Sequence, residues 1–299
     1  MTEFRKIPLK TGVTLNVALA GPEDAPPVIL LHGFPESHRT WRGLAPLLAD
    51  EFRLVMPDQR GFAGSDRPLE VEAYRADLLV DDVFALAEAL GIERFALVGH
   101  DWGGAISWPA ALRCDPRLER LAIINAPHPV VFQKSLIEDA DQRAASQYIT
   151  AFRTPGFENV PETMGWDKFF DKSFAGHVDL STISAEDRAQ YVAEWSEPGG
   201  FRAMLNWYRA SQIVVPAPGV DVPIPGWVLA LFPKVKVPTL VIWGMKDKAL
   251  LPVQLEGLDE LVEDLRIHRI PDAGHFVPWE KPEAVAEALK PFLEGRSGA

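Results

Sequence analysis

The feature that most limits what this chain can fold into is the turn Gly99-His100-Asp101-Trp102-Gly103-Gly104, set between the apolar run Phe95-Ala96-Leu97-Val98 and a helix-like run at 105–112. A strand, a sharp turn and a helix in direct succession form the G-x-S-x-G nucleophile elbow, here with Asp where Ser usually stands. The glycines have a steric purpose. The central residue takes a strained backbone angle, and flanking side chains would keep strand and helix apart. No other G-x-S-x-G occurs in the chain, so a serine mechanism has no seat. A plainer reading makes this an ordinary strand–helix turn with Asp101 as helix cap. The motifs that follow weigh against it. A carboxylate nucleophile attacking sp³ carbon leaves an alkyl ester, which needs a second, hydrolytic step.

The segments around the elbow predict a mostly parallel sheet. Apolar runs at 28–31, 53–56, 95–98 and 121–124 alternate with helix-like stretches, notably 78–90, where Leu79, Val83, Leu86 and Leu90 recur near period 3.6. An alternating hairpin, with Phe4, Ile7 and Leu9 before Thr11-Gly12 and Val13, Leu15 and Val17 after it, precedes them. The rhythm stops after Asn125, in favour of an aromatic-rich, helical stretch with prolines at 216, 218, 223 and 225. It resumes with the run 239–243, a helix-like 253–265, an apolar run near 267–270 and a last helix at 282–293. The expected organisation is an α/β core of residues 1–128 and 237–299 carrying an inserted helical cap of residues 129–236, with 295–299 frayed.

Three further motifs fall where such a core gathers its active-site loops. His32-Gly33-Phe34-Pro35 follows the run 28–31, and its tight turn can aim the Phe34 amide at the elbow. With the Trp102 amide it would form an oxyanion hole made of backbone donors. Asp247, in Gly244-Met245-Lys246-Asp247, and His275, in Pro271-Asp272-Ala273-Gly274-His275, follow the next two runs in the order nucleophile, acid, histidine. Asp247 would orient the ring and His275 would take a proton from water. Asp272 lies too close in sequence to serve as the acid. His32 and His100 read as structural, His128 as the start of the cap, His268 as part of a strand, and His38 and His177 as surface positions.

On these motifs, with Pro57-Asp58-Gln59-Arg60-Gly61-Phe62-Ala63-Gly64-Ser65-Asp66, the chain resembles the soluble epoxide hydrolases of the α/β-hydrolase superfamily from about residue 8 to 293. The resemblance extends into the cap. A ring-opening tyrosine of that family precedes a Phe-x-x-Pro-Gly element, matched by Tyr148 ahead of Phe152-Arg153-Thr154-Pro155-Gly156. A second lies in a block matched by Gly200-Phe201-Arg202 and Asn206-Trp207-Tyr208-Arg209. The resemblance implies an α/β-hydrolase fold and an epoxide as substrate, with Asp101 as nucleophile. It also implies Tyr148 and Tyr208 as proton donors and His275 with Asp247 for the water. A phenol, with pKa about 10, stays protonated at neutral pH and can meet an emerging alkoxide. Tyr191 reads as a residue that only packs. Trp102, Phe152 and Trp207, with the stretch 216–227, are expected to line an apolar pocket.

Haloalkane dehalogenases share the aspartate core. Phe34 stands where they often carry Asn, and they would leave two cap tyrosines without a task. A fluoroacetate-type dehalogenase would want arginine near the nucleophile, and Trp102 and Ile106 are not that. A non-catalytic ligand-binding protein on the same scaffold would have no need of a full catalytic set. No metal or organic cofactor is called for, and no zinc or nucleotide motif is present. The formal charge of −12 opposes nucleic acid and anionic membranes as partners. The single Cys114 rules out an intrachain disulfide. A polar start and the lack of a long apolar run suggest a cytoplasmic protein acting on a small molecule, as monomer or homodimer.

Overall fold

The short apolar runs become neighbouring strands of one eight-stranded sheet. The computed structural model describes residues 2–230 and 233–296, so the expected fraying of 295–299 falls mostly outside the described residues. The strands are β1 Glu3–Pro8, β2 Thr14–Ala20, β3 Pro27–Leu31, β4 Arg53–Pro57, β5 Phe95–His100, β6 Leu118–Ile124, β7 Thr239–Gly244 and β8 Leu265–Ile270. The helices needed below are α1 Ala76–Ala89, α2 Trp102–Leu112, α3 Pro129–Glu138, α4 Gln147–Arg153, α5 Trp166–Phe174, α6 Ala185–Ser196, α7 Gly200–Ala210 and α8 Pro282–Leu293.

The spatial order is β1-β2-β4-β3-β5-β6-β7-β8. The hairpin partners β1 and β2 are antiparallel, as are β2 and β4, and every later neighbour is parallel. Chain direction across the sheet reverses around β3, which lies between β4 and β5, and ligand sites form beyond the strand ends at such a switch point.

Period-2 alternation supplies both faces. Ile29, Leu31, Val55, Leu97, Ile123 and Val241 join one buried cluster with Leu79, Val83 and Leu86 of α1 and Ile106 of α2. Val28, Leu30, Leu54, Val98, Ile124 and Ile242 join the other, with Trp41, Leu44 and Leu48, and with Val285, Leu289 and Phe292 of α8. Sheets covered on both faces need such continuous apolar runs.

One expected element is absent. Residues 253–265 are not a helix but a turn at Pro252–Leu255, a short helix at Leu258–Leu261 and the start of β8. Gly257, at φ 71, breaks the path. Leu255, Leu258 and Val262 are all buried, and their spacing imitates an amphipathic helix.

Between β6 and β7 the named elements are all helical. The aromatic residues of this stretch, among them Phe169, Phe170, Tyr191, Trp195 and Phe201, belong to the same apolar cluster as the α1 face of the sheet. Indole N–H groups tie them to core loops. Trp195 donates to the Pro35 carbonyl at 2.7 Å and Trp207 to the Arg60 carbonyl at 2.9 Å.

Candidate active site

Asp101 sits at the end of β5 with φ 49 and ψ −119, a conformation that costs energy for a residue with a side chain. The surrounding glycines explain how it is held. A Cβ on Gly103 would overlap the Leu31 carbonyl, and one on Gly33 would overlap Asp101 itself. Asp101 occupies the N-cap of α2, but its side chain makes no cap bond. Its Oδ1 instead accepts the Phe34 amide at 2.7 Å. The Trp102 amide, first in its helix, has no acceptor within it. Of the two anticipated donors, the Phe34 amide is thus on the carboxylate and the Trp102 amide follows it directly in the chain.

His275, just past β8, and Asp247, just past β7, meet Asp101 across the carboxyl ends of the strands. His275 Nδ1 is 2.7 Å from Asp247 Oδ2, and its Nε2 is 3.6 Å from Asp101 Oδ2. Asp247 is fully engaged: Oδ1 accepts the Ala249 and Leu250 amides at 2.8 and 2.9 Å, and Oδ2 accepts Asn125 Nδ2 at 2.8 Å. Burial alone would raise both carboxyls, yet the bonds to His275 and its positive charge hold Asp101 and Asp247 below the usual carboxylate range. Burial pulls His275 down in turn, but Asp247 and Asp101 outweigh it and hold the ring well above the ordinary histidine value.

The tyrosines close the site from above. Tyr148 on α4 and Tyr208 on α7 line one cavity of about 620 Å³ together with Asp101, Trp102 and Trp207. Their ring centroids are 6.1 Å apart, and the Tyr208 ring stands edge-on to Trp102 at 5.0 Å and to Phe34 at 5.2 Å. Burial raises both phenols, and the Asp101 charge adds to it, so both keep their protons.

A sequence profile of the α/β-hydrolase fold matches residues 26–282. A solved structure described among novel epoxide hydrolases from metagenomes of hot environments is 46% identical. It superposes with a TM-score of 0.91 over 99% of this chain and 100% of that one. Epoxide hydrolase A of Mycobacterium tuberculosis is 32% identical over 95% of both proteins. The chain belongs to the epoxide hydrolase family of the α/β-hydrolase superfamily. A mutant epoxide hydrolase from Bacillus megaterium, solved with its naphthyloxy-propanediol product, is 28% identical, with a TM-score of 0.86 over 97% of this chain and 100% of that one. The protein is therefore a hydrolase, and among the described residues no helix is long and apolar enough to cross a membrane.

Some expectations about this hydrolase need correction. Phe152 is not in the cavity wall: one turn beyond Tyr148 on the same face of α4, it is covered by its ring contacts with Phe34, Phe157, Tyr148 and Tyr208. Of the stretch 216–227, only Trp227 reaches the wall. His38 and His177 are not free surface residues. His38 Nδ1 bonds Asp58 at 2.8 Å, and the His177 ring lies 6.3 Å from that of His275. His32 and His100 are buried, as expected of supports, and His100 Nε2 donates to the His275 carbonyl at 2.8 Å. Tyr191 packs, but its hydroxyl also donates to buried Glu36 at 2.9 Å, whose carboxyl burial pushes up to about 7. Asp272 pairs with Lys281 at the surface, away from the site.

Sequence reasoning missed Asn125 and Arg153. Asn125 had one legible sign, its place directly after a buried apolar run, and the structure gives it φ 40, a conformation Asn tolerates. Arg153 had none.

Proposed function

We propose that this protein converts epoxides to vicinal diols through an alkyl ester on Asp101. The observation that carries the reading is a carboxylate and two protonated phenols lining one cavity. In the first half-reaction Asp101 Oδ2 attacks an epoxide carbon and the C–O bond breaks. One of Tyr148 and Tyr208 gives its proton to the leaving oxygen while the other hydrogen-bonds it. The phenolate regains a proton, through solvent, at the expense of the one His275 held at rest, which leaves the imidazole neutral. Oδ1, already on the Phe34 amide, becomes the ester carbonyl oxygen. In the second, His275, oriented by Asp247, takes a proton from water, which attacks that carbonyl. The Phe34 and Trp102 amides stabilise the oxyanion until the diol departs and the carboxylate is restored. The names of the relatives support the substrate class, and the aromatic walls favour an apolar epoxide. Residues 129–236 act as the cap that supplies both phenols, over a core of 1–128 and 237–299.

A single turnover of styrene oxide in heavy-oxygen water tests the ester. The label should enter the Asp101 carboxylate and leave the first diol unlabelled, whereas immediate label in the diol would sink the covalent route. In the same experiment a Tyr148→Phe/Tyr208→Phe double variant should form ester at least about 100-fold more slowly. Halide release from haloalkanes without diol formation would favour the dehalogenase chemistry instead.

A further inference from the structure

We propose that Arg153 is the positioning residue that sets the distance between the two ring-opening phenols, an inference that rests on the reading above. Tyr148 and Arg153 stand near opposite ends of α4, and Tyr208 lies in the last turn of α7. A helix end leaves carbonyls without intrahelical donors. One planar guanidinium donates to three carbonyls at and beyond the end of α7: Nε to that of Tyr208 at 2.8 Å, which also accepts the Ser211 amide at 3.3 Å, Nη2 to that of Ser211 at 3.1 Å and Nη1 to that of Ile213 at 2.7 Å.

The same side chain therefore holds the peptide of Tyr208 and the chain just beyond it, where Ser211, Gln212 and Ile213 line the cavity. Its positive charge also suits a helix C-terminus. Among the described residues Arg153 pairs with no carboxylate, and burial lowers its pKa. A half-buried arginine without a counter-ion is costly, and carbonyl oxygens are its compensation. Phe152, next to it, packs against both phenols, 5.5 Å from the Tyr148 ring and 5.0 Å from that of Tyr208, while the two phenol rings touch each other edge-on at 6.1 Å. The three rings pack on one another, and the guanidinium ties the C-terminal end of α4 to that of α7. Arg209 makes a different tie between the same parts of the chain, pairing with Glu158 at 2.5 Å outside the cavity.

The two phenols act only while the ring opens, so their spacing should matter to that step alone. An Arg153→Met enzyme in single turnover with styrene oxide should form the Asp101 ester about 10- to 100-fold more slowly, the cost of misplacing reacting groups by about an ångström. It should hydrolyse the ester within about twofold of the wild-type rate. Arg153→Lys offers donors from one nitrogen that cannot span three carbonyls, and should fall between the two. It carries the test should the methionine variant fail to fold. Arg209→Met should leave both steps unchanged. Ester formation at the wild-type rate in folded Arg153→Met, or an equal fall in both steps, would overturn the assignment of Arg153 alone. A wild-type enzyme that forms no ester would overturn the underlying reaction, and this inference with it.

Discussion

In the proposed reaction, esterification would remove the charge on Asp101, and that change would decide what His275 can do. In the resting site the imidazole faces two carboxylates, Asp247 at 2.7 Å and Asp101 at 3.6 Å, which hold its proton on. Once Asp101 is an ester, one of those charges is gone and the ring becomes easier to deprotonate. Ring opening needs Asp101 ionised, and its lowered pKa keeps it so well into acid. Ester hydrolysis needs a neutral ring, which is lost as the pH falls. Stopped-flow measurement should therefore find alkylation flat through about pH 6.5 and hydrolysis declining with acid across the same range. Identical pH profiles for both steps would contradict this account. At this scale Asp101, Asp247 and His275 were legible as candidates because each follows a strand end in a recognisable order, and Tyr148 and Tyr208 only through the family resemblance. Arg153 was not, and Asn125 only by its place after a strand, because their importance lies in partners distant along the chain, Asp247 and the carbonyls beyond α7.

Among the elements, the closest approach is between β3 and the start of α2. The Gly103 Cα faces the Leu31 carbonyl with no room for a methyl group, and Gly104 is in the same position against Ala126. Gly103→Ala should therefore destabilise the fold by more than about 3 kcal/mol, seen as a lower urea midpoint, because rigid backbone cannot yield. A near-normal midpoint would show that the elbow has slack. The stretch 253–265 teaches the opposite lesson about elements. Leu255, Leu258 and Val262 repeat at helical spacing, yet Gly257 divides them between two short turns. Periodicity reports which residues face the core, and more than one backbone path can satisfy it.

Over the whole molecule, buried histidines bind stability to pH. His32 is fully buried, its Nε2 accepts the Gln59 amide at 3.0 Å and its Nδ1 donates to the Gly33 carbonyl at 2.9 Å, so an added proton would meet a donor. Burial is the chief cause of its fall to about 4, against an ordinary 6.5. The unfolded chain then takes up the proton first. This contribution to stability is intact above pH 6.5 and is lost as the pH falls toward 4. Urea titrations of His32→Gln between those limits should show a pH dependence shallower by nearly one proton than wild type, and an unchanged slope would mean that His32 is protonated in the native state. The parallel sheet, the flanking helices and the helical insertion were all foreseeable, because both sheet faces and α1 advertise their burial in local apolar patterns.

The amino-acid sequence by itself determined the elbow, the order of the candidate groups Asp101, Asp247 and His275 and the strand rhythm, since these depend on backbone freedom and periodicity among near neighbours. Only the tertiary structure decided the cavity. It kept Phe152 out of the wall, brought Tyr74, Ile106 and Phe132 into it, and joined Arg153 to carbonyls about 60 residues further on. Those choices follow from how α4 and α7 settle over the carboxyl ends of the strands, a geometry summed over many weak contacts and written in no short segment.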